Sequence, residues 1–216
     1  MVNTPKKNKT NSKSGKIKYD SVLKDDKIVI LLGKSAAGKD TVARMLEKMY
    51  GYRFVISTTT RPMRDGESEG EPYFFVQNKE FEELIQNNSL IEYRAYDTLV
   101  NKKPERWYYG VEKHQVNSNR KHIVVLDTVG LREFKEYFKN RVVSFFIDVP
   151  DKVREDRCVS RGDFDKTEWQ RRLEDDNIRF SKGVTLSEID YSVDGDRPTV
   201  HIVSEILDIL KKKNLC

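Results

Sequence analysis

The stretch from Lys27 to Leu46, KIVILLGKSAAGKDTVARML, constrains this chain more than any other part of it. Ile28 to Leu32 is an uninterrupted apolar run that ends at a glycine, the pattern of a short strand buried on both faces of a parallel sheet. Further on, Val42, Met45, Leu46 and Met49 recur at helical spacing and Gly51 stops the chain, which predicts an amphipathic helix. Between strand and helix lie Gly33, Lys34, Ser35, Ala36, Ala37, Gly38 and Lys39, a spacing that fits a phosphate-binding loop. Small residues let several N–H groups curve around a phosphate, the helix presents its positive end, and Lys39 adds a point charge. Asp40 stands where this pattern calls for a hydroxyl. It is either an acid favoured by the helix dipole or an oxygen ligand for Mg²⁺. Thr41 does not inherit the hydroxyl's role, because one step along a helix turns a side chain by about 100°.

The rest of the chain repeats the alternation of strand and helix. Apolar runs at Phe54 to Ser57, His122 to Leu126 and Val142 to Val149 alternate with helical patterns near Leu131 to Phe138, Val153 to Arg161, Trp169 to Phe180 and Thr199 to Lys213. This predicts an α/β fold of three layers, a parallel core sheet with helices on both faces. Between Ser57 and Gly110 the texture changes to Gly, Pro and charge, with short strand candidates at Tyr73 to Val76 and Leu90 to Arg94, as expected of an inserted substrate subdomain.

Charge does not point to nucleic acid. The net +5 arises from 40 Lys and Arg against 35 Asp and Glu, and six of those Lys lie in Met1 to Tyr19, which has no acid; without them the balance is 34 to 35. Residues 1–19 are expected to be a disordered, Lys-rich solubilising tail. No apolar run approaches the ~18 residues of a membrane span and the tail has no apolar core for secretion, so a soluble, intracellular protein without a membrane partner is expected. Cys158 and Cys216 are too far apart in sequence to suggest a disulfide framework and read as free thiols, and His114, His122 and His201 lack metal-ligand spacing.

The segment STTTRPMRDGESEGEPYFF, residues 57–75, resembles the signature of the guanylate kinase family: Ser, a pair of Thr, Arg, two residues, Arg, then Gly-Glu and a Tyr. LIEYRAY with Glu92, WYYG with Tyr109 and VVLDTVG with Asp127 follow in family order, so the resemblance spans roughly Ile28 to Phe180. It implies a P-loop NTPase fold with an inserted β subdomain at residues 58–110 and a helical lid at 157–172, within a domain of residues 20–216. By the same resemblance, residues 33–41 hold ATP with Mg²⁺. The phosphate of GMP or dGMP lies against Arg61, Arg64, Tyr73 and Tyr109, and guanine is read by Ser57, Glu92 and Asp127, with Glu92 ionised. Guanine offers N–H donors on its Watson–Crick edge, and a carboxylate accepts two of them. Arg157, Arg161 and Arg172 correspond to lid arginines that close over the ATP phosphates; with Lys39 and Arg61 they are the implied catalytic set. Arg157 and Arg161, at i and i+4, share a helical face and are expected to point at one anion. No role is assigned to Arg154 or Arg171.

Three departures matter. Asp40 replaces the loop hydroxyl, Val111 stands where a Ser or Thr touches the base, and Val125 replaces the first acid of the family's Asp-x-Asp. In addition, Asp97 to Trp107 lengthens the connection between Glu92 and Tyr109, and is expected to be a long loop beside the base, either surface decoration or lid. The expected activity is transfer of the ATP γ-phosphoryl to GMP or dGMP by a cytoplasmic monomer or homodimer. The alternatives are a related kinase with another phosphorylated acceptor, or a non-catalytic peptide-binding scaffold domain.

Overall fold

The computed structural model describes residues 27–100, 103–116, 120–162, 164–180 and 186–213. The tail at 1–19 and Cys216 lie outside them. Five parallel strands form the central sheet: β1 (Ile28–Leu32), β2 (Arg53–Val55), β7 (His122–Val125), β8 (Val142–Asp148) and β9 (Tyr191–Asp194), in the order β2-β7-β1-β8-β9. β1 is the middle strand and all five of its residues are fully buried, which is why its sequence carries no polar alternation. Its side chains divide between the two faces. Val29 and Leu31 pack with Val42, Ala43 and Leu46 of α1 (Lys39–Tyr50) and with Ile202, Val203 and Ile206 of α6 (Thr199–Lys212). Ile28, Ile30 and Leu32 pack with Leu131 and Phe134 of α3 (Thr128–Phe138). The three expected layers follow.

A second sheet, of order β4-β3-β6-β5, is built from β3 (Thr58–Thr59), β4 (Phe74–Phe75), β5 (Leu90–Val100) and β6 (Lys103–Glu112). α2 (Asn78–Gln86) precedes β5, and α4 (Asp151–Arg161) and α5 (Lys166–Arg179) follow β8. Here the sequence reading needs correction. Asp97 to Trp107 is not a loop: β5 and β6 pair antiparallel from Leu90 opposite Glu112 out to Val100 opposite Lys103, a long hairpin arm. The Asp97 carboxylate accepts from Arg106 Nε at 2.7 Å across that arm.

The crossing of β1 into its loop leaves no room for a side chain at Gly33. An added Cβ would lie 2.8 Å from the Ile147 carbonyl oxygen and 3.3 Å from Ala37 Cβ. Gly33→Ala is therefore expected to lower stability by about 1–3 kcal/mol through overpacking, read as a reduced urea midpoint at unchanged slope.

Candidate active site

The loop after β1 turns tightly into α1 through Gly38, whose φ of +90° is left-handed and leads directly into Lys39. Lys39 Nζ donates to the carbonyls of Gly33 at 2.9 Å and Lys34 at 3.1 Å. Loss of solvent lowers the pKa of this ammonium group, against the opposing pull of Asp40 and Asp176. Asp40, in the first turn of α1, is exposed.

A cleft of about 650 Å³ opens over this loop, and its walls gather residues far apart in sequence. Gly33, Ser35, Lys39 and Asp40 of the loop and α1 line it together with Ser57, Arg64, Tyr73, Glu92, Tyr109 and Asp127; Arg172 of α5 lines it as well. The Tyr109 ring meets those of Tyr73 and Tyr96 edge to face, each at 5.5 Å between centroids. Arg61 is placed differently. It is buried, its Nη2 donates to both carboxylate oxygens of Glu67 at 2.9 and 3.0 Å, and its guanidinium lies over the rings of Tyr73 and Phe75. It braces the segment that carries Arg64.

Two carboxylates, those of Glu92 and Asp127, line the cleft. Asp127 caps α3, its Oδ1 accepting the Gly130 N–H at 2.8 Å. Its Oδ2 accepts from Tyr96 Oη and from Arg179 Nη1, both at 3.2 Å. Glu92 is buried, with Arg94 Nη2 3.8 Å away. Burial pushes its pKa up to about 8; Arg94 opposes the shift, while Asp127 and Glu133 add to it. Against the expectation of an ionised Glu92, desolvation by the protein alone favours the protonated carboxyl in the cleft and outweighs one guanidinium at 3.8 Å. Val111, fully buried, pairs with Glu92 across β5 and β6 and offers it no hydroxyl. Val125 lines the cleft.

The three lid positions do not converge. Arg172 Nε donates to Glu168 at 2.7 Å within the cleft wall. Arg157 turns to the carbonyls of Ala37 and Gly195, at 3.1 and 2.9 Å. Arg161, exposed, donates to Cys158 Sγ at 3.5 Å. Though they share a helical face, Arg157 and Arg161 are held by different partners. Other cleft residues went unforeseen: Arg94 and Tyr96 on β5, and Asp176 and Arg179 on α5. Their signal is spacing. Residues 92, 94 and 96 share one side of a strand, and 168, 172, 176 and 179 share one stripe of a helix.

A glycine-rich loop between the central strand and α1, with residues of a smaller sheet lining the same cleft, defines an α/β protein of the P-loop NTPase type. Within that class the chain belongs to the guanylate kinase family, whose sequence model, described as guanylate kinase, matches residues 25–212. The chain is 32% identical over 155 residues to the guanylate kinase of Chlorobium luteolum, covering 68% of this chain and 74% of that protein. It is 30% identical over 193 residues to that of Oceanobacillus iheyensis, covering 87% and 88%. Among solved structures, the crystal structure of guanylate kinase from Anaplasma phagocytophilum superposes with a TM-score of 0.61 at 24% identity, covering 89% of this chain and 88% of that one, and supports the fold.

Proposed function

We propose that this protein transfers the γ-phosphoryl group of Mg·ATP to the phosphate of GMP or dGMP, giving ADP and GDP or dGDP. The observation that carries the reading is a single cleft lined both by Lys39 and its loop and by Arg64, Tyr73, Tyr109 and two carboxylates. Family membership supports it. The acceptor's phosphate oxygen attacks in line, so the protein's work is to position two anions and neutralise their charge. Residues 33–41 hold the phosphates of ATP, Lys39 the transferring end. Arg64, Tyr73 and Tyr109 hold the acceptor phosphate, and Ser57, Glu92 and Asp127 meet the base. Arg172 brings positive charge from the lid, residues 157–172, while residues 58–110 act as the acceptor subdomain.

The donor set suits Mg²⁺ of a particular kind. Among the described residues no group of three or more His, Cys, Asp or Glu could cage a metal, but Asp40 presents one exposed carboxylate beside the phosphate loop. That fits an ion held by substrate phosphates, waters and one protein carboxylate. Bound there, Mg²⁺ would neutralise charge on the ATP phosphates. Asp40→Ala is expected to raise the Mg²⁺ concentration for half-maximal rate by about tenfold, more than it raises the KM for ATP. Superimposable Mg²⁺ titrations would reduce Asp40 to a helix-start acid.

Glu92 makes the reaction pH-dependent. A guanine edge offers N–H donors, which a carboxylate accepts and a carboxylic acid accepts only in part. Because the pKa of Glu92 lies at about 8, the reading form is scarce at low pH and grows as pH rises. The kcat/KM for GMP is therefore expected to climb by about tenfold per unit up to pH 7.5 and to level off above 8, as a free-enzyme profile reports. A profile already flat from pH 6 would remove Glu92 ionisation from base recognition. The function itself is tested by following ADP release with Mg·ATP and each common nucleoside monophosphate. ADP released with GMP or dGMP far above background supports the kinase; absence of turnover with every acceptor supports a scaffold domain.

A further inference from the structure

Arg157 corresponds to a lid arginine, yet its guanidinium is held by carbonyls of the phosphate loop and is not part of the cleft lining. Its Nη1 approaches the carbonyls of Ala37 at 3.1 Å and Ala36 at 3.5 Å, and its Nη2 ties this end of α4 to Gly195. One turn earlier on α4, Arg154 is fully buried and its Nη1 donates to the Ser35 carbonyl at 2.8 Å. Three consecutive loop carbonyls, those of residues 35, 36 and 37, are thus taken by two arginines of one helix. In a trans peptide the C=O and the following N–H point in opposite directions, so holding these carbonyls outward turns the N–H groups of Ala36, Ala37 and Gly38 toward the other side of the loop. The Ala37 N–H closes a turn on Lys34 O at 3.1 Å.

The brace is itself anchored. Asp176 of α5 accepts from the Ser35 N–H at 2.9 Å and from Arg154 Nη1 at 3.0 Å, so Ser35 is gripped through both its N–H and its C=O. Arg154 Nη2 donates to Asp151 at 2.6 Å, and the guanidinium lies 5.2 Å from the centre of the Trp169 ring. The next residue, Ala36, has φ +59°, a left-handed conformation that a non-glycine residue holds only where its surroundings impose it. Ser35, Lys39 and Asp176 line the cleft, whereas Arg154 and Arg157 are not part of its lining.

We infer that Arg154 and Arg157, with Asp176 holding Arg154 and the Ser35 N–H, are positioning residues that brace the phosphate loop through its carbonyls, fixing its shape and hence its affinity for nucleotide phosphates, with Arg154 and Arg157 making no contact with them. The inference rests on reading residues 33–41 as the ATP site. It removes Arg157 from the group that touches the transferring phosphoryl, and gives Arg154 a role that its sequence position did not reveal.

The test is ADP and GMP binding by calorimetry, alongside steady-state kinetics, for wild type, Arg157→Met, Arg157→Lys and Asp176→Asn. A loosened loop must be ordered by its ligand, so Arg157→Met is expected to weaken ADP binding by about tenfold while GMP binding and kcat at saturating ATP stay within about threefold. Arg157→Lys, which still donates to the loop carbonyls, should recover part of the ADP affinity. Asp176→Asn keeps an acceptor for Ser35 but removes the charge facing Arg154, and should weaken ADP more than GMP. A kcat at saturating ATP reduced about a hundredfold or more with ADP affinity intact would put Arg157 on the phosphoryl group and overturn the inference. So would equal weakening of ADP and GMP, or no change in either. Lys39→Ala is the control for the site: if it keeps wild-type ADP affinity, the phosphate-loop reading fails, whereas loss of ADP affinity there with an unaffected Arg157→Met sinks the brace alone.

Discussion

Lys39→Ala should lower kcat by about a thousandfold with the fold intact, the scale on which a single preorganised charge acts at a developing transition state. Among the described residues, Lys39 is the one lysine in the cleft lining; it sits at the end of the loop, and its ammonium group is held against the Gly33 and Lys34 carbonyls. Thermal unfolding separates this from collapse of the site: the melting temperature should be close to wild type while turnover is lost. Turnover within a few-fold of wild type would show that the loop is a turn before a helix and nothing more.

The second large effect concerns the base. A site that hydrogen-bonds a polar edge rejects an analogue lacking it by up to about 10⁴-fold, since its buried groups are then left unpaired. Glu92 is buried and Asp127 stands beside it, so GMP should exceed AMP in kcat/KM by orders of magnitude at pH 8. Glu92→Ala should lose about a hundredfold or more of that ratio while the KM for Mg·ATP holds. The wild-type ratio should also narrow toward pH 6, where the neutral acid can donate as well as accept. An unchanged GMP to AMP ratio in Glu92→Ala would end the guanine reading without touching the kinase.

The parts legible in the sequence are those dictated by local periodicity. Ile28 to Leu32 reads as a central strand because both of its faces are covered, and Val42 and Leu46 read as a helix face because they meet the same core. The hairpin from Asp97 to Trp107 was illegible for the converse reason. Its arm is polar, includes Pro104, and is defined by pairing between two strands rather than by alternation within either. α2 was within reach: Phe81, Leu84 and Ile85 are spaced for one face, and Gln77 with Glu80 forms a capping box at its start. At the site, residue types in family order brought Ser57, Arg64, Tyr73, Glu92, Tyr109 and Asp127 to attention, and all six line one cleft. Sequence could not say where a guanidinium would point. Arg61 goes to Glu67, Arg157 to loop carbonyls and Arg179 to Asp127, choices made by tertiary neighbours. Nor could it give the upward pKa shift of Glu92, which depends on its burial in the fold.

Transfer of label from [γ-³²P]ATP tests the central claim most directly. With Mg²⁺, GMP and the purified protein at pH 8, the expected result is label in the β-phosphate of GDP, absent when GMP is omitted and strongly reduced when AMP replaces it. Label that appears as inorganic phosphate, or that passes to AMP or a pyrimidine nucleotide in preference to GMP and dGMP, would contradict it.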